Sequence, residues 1–327
     1  MSKRKLKSWI SILLSFSLFL CMTGCSNSQT GTPEVHIGYF NNITHAQALL
    51  MKAEGALEEA YGADASVTWT AFNAGPAEVE ALFAGDIDIG YIGPVPAITA
   101  NVKSGGDVQI LSSATKGGAV LVKSPGSDIN SVADLAGKVV AIPQLGNTQH
   151  LCLLNLLEEN GLSPVTEGGT VTVAAVSNAD VANTMNNGDI DAALVPEPWG
   201  ATLLANEAEL VMDYDTIYFE GEYDVAVVVV RKDFMAEHPE LVARFLEEHE
   251  SATRRMNDSL AECLPIINQE LEAATGKSLD DSIITEAFTR IGVSTELNQS
   301  SIEQFAVISQ AQGFISELPS DDLYVED

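Results

Sequence analysis

The stretch that decides the fold is KVVAIPQLGNTQHLCLL, residues Lys138 to Leu154. Val139 to Ile142 is an apolar run of the length expected for a buried strand. The proline and glycine that follow interrupt this run, and from Thr148 to Leu157 the apolar residues recur at helical spacing. The pattern therefore predicts a strand, a turn and a helix in immediate succession.

The start of this helix has the properties of a site for a small anion. The first backbone N–H groups of a helix have no intrahelical partner, and the aligned peptide dipoles add partial positive charge there. Gly146 allows close approach of the backbone, and Asn147, Thr148 and Gln149 add polar side chains. We predict that these four residues hold an anion without lysine or arginine. The alternative is a purely structural turn.

The N-terminal residues indicate export. Four basic residues precede an apolar run from Trp9 to Leu20, which is shorter than a membrane-spanning helix. The tetrapeptide MTGC, which ends at Cys25, resembles the cleavage site of bacterial lipoproteins. We predict a lipoprotein signal peptide over 1–24, lipidation of Cys25 and a polar tether over 25–34. An ordinary secretory signal is the alternative, and it also places the protein outside the cytoplasm.

The chain is strongly acidic, with 46 aspartates and glutamates against 16 lysines and arginines and a formal net charge of −30. Residues 1–24 carry four positive charges and no negative ones, so the chain from Cys25 onward has a formal charge of −34. Because this charge repels a phosphate backbone, nucleic-acid binding is excluded. An anion site in such a chain must act through short-range donors.

The cysteines provide no recognisable metal or redox motif. Cys21 lies in the signal peptide and Cys25 is the lipidation candidate, which leaves Cys152 and Cys263. Neither belongs to a CxxC pair or another metal-ligand spacing. We predict two buried free thiols, with a disulfide between these two residues as the alternative.

The chain contains a long internal repeat. Two copies of Gly-Asp-Ile-Asp, at 85–88 and 188–191, each precede a predicted strand that ends at a proline. The predicted strands and helices upstream of the two copies come in the same order, and Thr44 and Thr148 lie 104 residues apart at equivalent places. A repeat of this length indicates two similar α/β lobes rather than a solenoid of small units.

The predicted fold class is α/β, with two lobes that each contain a mixed sheet flanked by helices. Two strands, Ala119 to Lys123 and Tyr223 to Arg231, are predicted to cross between the lobes. The helices after Lys232 are predicted to pack on lobe one. The predicted divisions are 35–118 for the first part of lobe one, 119–230 for the crossing strands and lobe two, and 231–327 for the return to lobe one with the C-terminal helices.

Six short segments carry a family resemblance. They are GP at 75–76, EALFAGDIDIG at 80–90, GP at 93–94, VADLAGK at 132–138, PQLGNTQ at 143–149 and EPW at 197–199. Together they resemble the substrate-binding lipoproteins of ABC importers, in the branch for nitrate, sulfonates, taurine or bicarbonate. The resemblance extends from about Val35 to Pro239. It implies the two-lobed, type II periplasmic-binding-protein fold, a cleft that closes on one small solute, and a membrane permease as partner.

Further ligand-binding candidates lie where predicted strands end, because ligands collect at the carboxyl ends of strands in open α/β sheets. Tyr39, Asn41 and Asn42 follow the first strand, and Gly93 and Pro94 follow the third. We expect Gly93 and Pro94 to offer a main-chain contact from the facing lobe. The alternatives are a solvated loop for the first group and a simple turn for the second.

Two residues of the EPW segment are also candidates. Glu197 can accept a hydrogen bond from an ammonium or hydroxyl group of the ligand, or it can hold loop amides or bridge the lobes. Trp199 can form a wall of the cleft, or it can pack in the core of lobe two. His45 and His150 lie at equivalent places in the two repeats. Because no supporting ligands accompany them, a solvated or capping role is favoured over a metal-binding or catalytic pair.

The expected function is that of an extracytoplasmic solute receptor of an ABC importer, anchored to the membrane through a lipid at Cys25. The expected ligand is a small oxyanion, an aliphatic sulfonate or taurine, with nitrate or bicarbonate as alternatives. The alternative of a different class is an enzyme like those of thiamine-pyrimidine synthesis. We predict no catalytic residues, no metal, no cofactor and no nucleic-acid partner.

Overall fold

The computed structural model describes residues 32–325, so the predicted signal peptide and Cys25 lie outside the described residues. The strands of this part of the chain are β1 (Glu34–Phe40), β2 (Ser66–Phe72), β3 (Ile89–Ile92), β4 (Val108–Gly117), β5 (Ala119–Lys123), β6 (Val139–Ile142), β7 (Thr172–Ala175), β8 (Ala192–Pro196), β9 (Glu209–Met212), β10 (Asp224–Arg231) and β11 (Ile291–Val293).

Its α-helices alternate with the strands up to β10, except that no α-helix separates β4, β5 and β6, and they dominate the chain after β10. They are α1 (Ala46–Glu54), α2 (Ala56–Tyr61), α3 (Gly75–Ala84), α4 (Pro94–Ser104), α5 (Thr148–Glu159), α6 (Val181–Asn186), α7 (Trp199–Ala205), α8 (Tyr214–Ile217), α9 (Lys232–Glu237), α10 (Pro239–Thr275), α11 (Asp281–Phe288) and α12 (Gln299–Ala311). Within residues 32–325, no helix combines the length and apolar composition needed to cross a membrane.

The strands form two mixed sheets with the same internal arrangement. The order is β11-β4-β10-β3-β1-β2 in the sheet of lobe one and β7-β6-β8-β5-β9 in the sheet of lobe two. In lobe one, β1 is parallel to β2 and β3, and in lobe two β6 is parallel to β7 and β8. The third parallel strand of each sheet then pairs antiparallel with β10 or β5. The predicted two-lobed α/β architecture is confirmed.

The central strand β10 contributes a continuous apolar run to the core of lobe one. Its residues from Val225 to Val230 are all apolar and buried, because β10 lies between β3 and β4 in the middle of its sheet. Such a run is typical of a strand covered on both faces. The thiols of Cys152 and Cys263 are free and buried.

Several elements differ from the sequence prediction for identifiable reasons. The sequence predicts one helix from about His45 to Tyr61, but this segment is divided into α1 and α2 at Gly55, which adopts a left-handed φ of 65°. Helix α4 starts at Pro94, where only a loop was expected, because proline suits the first turn of a helix. The sequence from Ser300 to Glu303 has a capping-box pattern that predicts the start of the last helix, but the cap of α12 is Asn298, whose side chain accepts from the N–H of Ser301.

The C-terminal helices do not pack on lobe one alone. Helix α10 packs on α1 and α2 of lobe one, but α11 contacts α7 of lobe two, and α12 contacts both α4 and α5. The expectation that they all pack on lobe one was wrong for α11 and α12. These two helices instead cover parts of both lobes.

Arg290 joins the two lobes through ion pairs. It directly precedes β11 of lobe one, and its guanidinium meets two carboxylates of lobe two. Nη1 lies 3.3 Å from Oε1 of Glu197, and Nε lies 2.9 Å from Oδ1 of Asp213. Nη2 also lies 3.0 Å from Oε1 of Glu286. Glu197 is fully buried, and its other oxygen accepts from the N–H of Ala201 at 2.8 Å.

We predict that Arg290→Met lowers the free energy of unfolding by about 3 kcal/mol, because it leaves the buried carboxylate of Glu197 without its counter-ion. Urea denaturation provides the measurement. Arg255→Met is the matched control, since Arg255 pairs with Glu54 on the surface, and it should cost about 1 kcal/mol or less. The double variant Arg290→Met/Glu197→Gln should recover part of the loss. Equal costs for the two arginine variants would contradict the prediction.

Candidate functional site

Two adjacent chambers lie where strands of both sheets end. The inner chamber is narrow, with a cavity volume of about 20 Å³, and the outer one has a cavity volume of about 300 Å³. The inner chamber is lined by Phe40, Asn42, Thr44, His45, Asn73, Ala74, Gly75, Gly93, Pro96, Pro143, Asn147, Thr148, Gln149, Asn178, Pro196 and Val225. The outer chamber is lined by Phe40, Asn41, Asn42, Ala71, Phe72, Asn73, Asn178, Ala179, Trp199, Ala274 and Thr275.

None of these lining residues is an aspartate, glutamate, lysine or arginine. The polar part of the lining consists of amide, hydroxyl and imidazole side chains together with backbone groups. Whatever binds in the chambers therefore meets hydrogen-bonding groups and partial charges rather than a formal counter-ion.

The N-terminus of α5 provides the first set of donors. The backbone N–H groups of Thr148 and Gln149 have no acceptor among the described residues, as expected for the first turn of a helix. The hydroxyl oxygen of Thr148 is buried and also has no hydrogen-bond partner there. These three groups belong to residues that line the inner chamber.

Backbone N–H groups determine how the neighbouring amide side chains are turned. Oδ1 of Asn147 accepts from the N–H of His150 at 2.8 Å, so the amide nitrogen of Asn147 must be the atom 3.0 Å from Oε1 of Gln149. The side-chain oxygen of Gln149 is thereby occupied. Its NH₂ group, which has two donor hydrogens, has no protein partner in the described part of the chain.

The same logic applies to the facing loop of lobe one. Oδ1 of Asn42 accepts from the backbone N–H of Thr44 at 3.1 Å and from its hydroxyl at 2.5 Å. The NH₂ group of Asn42 is left without an acceptor among residues 32–325. The inner chamber therefore has unoccupied donors from both lobes, beside one buried acceptor without a protein partner, the side-chain oxygen of Asn178.

His45 and His150 have equivalent hydrogen bonds. Nδ1 of His45 accepts from the N–H of Phe40 at 3.0 Å, and Nδ1 of His150 accepts from the N–H of Gly146 at 3.0 Å. Burial lowers the pKa of His45 to about 3 and that of His150 to about 4, so both rings are neutral at pH 7. Of the expected solvated or capping roles, the contacts agree with the second, because each ring accepts a backbone N–H of the loop that precedes its helix. Nowhere in the described residues do three potential metal ligands cluster.

Gly93 brings the two lobes into direct contact. It precedes α4 of lobe one, and a Cβ atom at this position would lie only 2.4 Å from the hydroxyl oxygen of Thr148 in lobe two. Its φ of −68° is ordinary for any residue, so the need for glycine here comes from space alone. The absence of a side chain at Gly93 is what lets the start of α5 lie against lobe one.

The structure brings seven of the predicted site residues to the chambers. Asn42 lines both chambers. The others are Gly93, Asn147, Thr148 and Gln149 in the inner chamber and Asn41 and Trp199 in the outer one.

Four predicted site residues do not line either chamber. Tyr39 packs edge-on against Trp69 with ring centroids 5.9 Å apart. Pro94 begins α4 and has no N–H to donate. The N–H of Gly146 is occupied by His150, and the carboxylate of Glu197 is occupied by Arg290 and a backbone amide. We therefore leave these four residues out of the proposed site.

Asn73 and Asn178 are lining residues that sequence reasoning missed. They follow β2 and β7, which are equivalent strands, and they lie 105 positions apart, as do Asn42 and Asn147. The rule that ligands collect at the carboxyl ends of strands was applied only to the first and third strands of each repeat. Applying it to the second strand as well identifies both residues.

We predict that Gly93→Ala lowers the free energy of unfolding by about 1 kcal/mol or more, because the added methyl group overlaps Thr148. Gly292→Ala is the control, since a Cβ there meets no atom within 4 Å and its φ is not left-handed. This control should change stability by about 0.5 kcal/mol or less. Urea denaturation of both variants tests the contact, and an unchanged midpoint for Gly93→Ala would contradict it.

Comparisons with known proteins agree with this architecture. The taurine-binding periplasmic protein of Escherichia coli K12 is 32% identical over 182 residues, which cover 55% of this chain and 54% of that protein. This chain thus spans about half the length of that relative. The alkanesulfonate-binding protein SsuA from Xanthomonas axonopodis pv. citri, bound to MOPS, superposes with a TM-score of 0.72 at 22% identity, covering 90% of this chain and 98% of that one.

The periplasmic nitrate-binding protein NrtA from Synechocystis PCC 6803 superposes with a TM-score of 0.68 at 15% identity, covering 89% of this chain and 83% of that one. These likenesses confirm the predicted periplasmic-binding-protein fold. A family model described as NMT1-like matches residues 28–263. The chain therefore belongs to the NMT1-like family.

Proposed function

We propose that this protein is the extracytoplasmic substrate-binding component of an ABC importer, and that its substrate is a small organosulfonate such as an aliphatic sulfonate or taurine. The proposal is one of binding rather than catalysis. The relatives named for taurine and alkanesulfonates support this class of ligand. A membrane permease is the expected partner.

The observation that carries the proposal is the excess of unoccupied donors in the inner chamber. The N–H groups of Thr148 and Gln149, the hydroxyl of Thr148 and the NH₂ groups of Gln149 and Asn42 have no protein acceptor in the described residues. Of these side-chain groups the hydroxyl of Thr148 is buried, and a buried donor without a partner costs about 1–3 kcal/mol. A sulfonate has three acceptor oxygens and no donor, so it satisfies several of these groups at once.

The absence of charged lining residues does not argue against an anion. A helix N-terminus stabilises negative charge through its dipole and its free N–H groups. The overall acidity of the chain opposes long-range attraction of anions, so the affinity must come from contacts at short range.

The outer chamber favours an organic anion over nitrate or bicarbonate. Phe40, Phe72 and Trp199 contribute aromatic surface next to polar amides, and this chamber shares lining residues with the inner one. An anion with a short organic tail can place its head group against the donors of the inner chamber and its tail in the outer one, whereas nitrate and bicarbonate have no tail. Burial of each methylene group contributes about 0.8 kcal/mol.

We further propose that the mature protein begins at a lipidated Cys25 and remains attached to the outer face of the cell membrane. The basic and apolar N-terminal segment and the MTGC tetrapeptide support this location. The periplasmic location in the names of the relatives agrees with export.

We predict that binding of a sulfonate raises the melting temperature of the mature protein. At a concentration about 100 times the Kd, mass action adds about 2.7 kcal/mol, which corresponds to roughly 5 °C or more. The panel comprises methanesulfonate, ethanesulfonate, isethionate, taurine, nitrate and bicarbonate. Stabilisation by nitrate or bicarbonate alone would assign the site to an inorganic oxyanion instead of an organosulfonate. If no member of the panel raised the melting temperature, the proposed oxyanion site would be contradicted.

Thr148→Ala tests the location of that site. Loss of a hydrogen bond to a charged group costs about 1.5–3 kcal/mol, so we expect the Kd measured by calorimetry to rise about tenfold or more. Thr184→Ala is the matched control, because the hydroxyl of Thr184 bonds to the carbonyl of Asp180 and the residue lines neither chamber. Its Kd should remain that of the unmodified protein.

The membrane anchor has a separate test. In cells that express the full chain, Cys25→Ser should abolish incorporation of labelled palmitate and release the exported protein from the membrane fraction. Lys7→Gln, which leaves the MTGC tetrapeptide intact, is the control. Membrane retention of the Cys25→Ser protein without label would contradict lipidation.

A further inference from the structure

His45 lies in the inner chamber and is held there in one orientation. It is 1% exposed, its Nδ1 accepts from the N–H of Phe40 at 3.0 Å, and its ring stacks on that of Phe40 with centroids 4.2 Å apart and an interplanar angle of 25°. The ring of Tyr91 packs on it at 6.0 Å, and the Tyr91 hydroxyl is itself bonded to His249. The imidazole of His45 is therefore enclosed on several sides by protein.

These contacts fix the position of the ring proton. Because the N–H of Phe40 donates to Nδ1, that nitrogen has a free lone pair and carries no hydrogen. Burial lowers the pKa of His45 to about 3, so the ring has a single N–H at neutral pH. That hydrogen must be on Nε2. Nε2 has no hydrogen-bond acceptor in the described part of the protein.

We propose that Nε2–H of His45 donates a hydrogen bond to an oxygen of the bound oxyanion, and that His45 is a specificity-determining residue of the inner chamber. This inference rests on the proposed function. It adds a donor from lobe one that faces the donors at the start of α5 in lobe two. The contribution is that of a neutral donor, which selects for an acceptor atom rather than for negative charge in general.

The equivalent histidine of lobe two provides an internal comparison. His150 accepts at Nδ1 from Gly146 in the same way, and its ring stacks on Phe314 with centroids 5.1 Å apart. It lines neither chamber. The internal repeat has thus kept the same role for Nδ1 in both lobes, while Nε2 reaches a ligand only in lobe one.

Side-chain NMR of the mature protein labelled with ¹⁵N-histidine, and also with ¹⁵N in its backbone amides, tests the inference. Ethanesulfonate is the probe. Before the probe is added, the spectrum should show the Nε2–H form of both His45 and His150. At saturation, the Nε2–H signal of His45 should shift several times further than that of His150, while the backbone N–H signals of Thr148 and Gln149 shift as well.

Each outcome has a distinct meaning. Shifts at Thr148 and Gln149 with an unmoved His45 signal would overturn the role of His45 and leave the proposed function intact. No shift at any of these groups would overturn both. An Nδ1–H form of His45 in the free protein would also overturn the role.

His45→Phe gives a second measurement, because phenylalanine keeps the aromatic stack and removes Nε2–H together with the Nδ1 acceptor of the Phe40 N–H. We expect the Kd for ethanesulfonate to rise about tenfold or more, as for loss of a hydrogen bond to a charged group. His249→Phe is the control, since His249 is also a buried neutral histidine but bonds to Tyr91 and Ser113 away from both chambers. A folded His45→Phe protein with an unchanged Kd would overturn the proposal.

Discussion

The binding loops depend on one constraint: their backbone N–H groups must find acceptors inside the protein. In each lobe, polar side chains supply those acceptors. The side-chain oxygens of Asn42 and Asn147 accept from backbone N–H groups, and Nδ1 of the two equivalent histidines does the same. Once the acceptor end of a side chain is fixed in this way, its donor end has to point elsewhere. The polarity of the inner chamber thus follows in part from the way its loops are folded, because Asn42 and His45 satisfy backbone N–H groups with their acceptor atoms and keep donor hydrogens without a protein partner.

Much of the fold was predictable because its signals are local and repeated. Strand β6, helix α5 and the duplicated order of elements follow from apolar spacing and turn residues. The elements that were missed depend on information the pattern lacks. Helix α4 begins with two prolines among its first three residues, which read as a loop, and β11 is only three residues long. The contacts of α11 and α12 with lobe two depend on tertiary packing, which no local pattern encodes.

The site was predictable in outline but not in its assignments. Its location at the start of α5 follows from strand, turn and helix in series, and seven candidate residues do lie at the chambers. Sequence cannot show which hydrogen-bonding groups are already occupied. Gly146 and Glu197 were reasonable candidates whose groups are taken by His150 and Arg290. His45 was discounted because no metal ligands accompany it. Its proposed role depends instead on the Nε2–H that remains when Nδ1 accepts from the N–H of Phe40.

The contact between Gly93 and Thr148 has a consequence for how closely the two lobes can approach each other. Since the Cα of one lobe already rests near the hydroxyl of the other, the contact acts as a mechanical stop that limits how far the walls can approach. The separation of the lobes at this point is therefore set by contact between protein atoms and does not depend on a bound molecule.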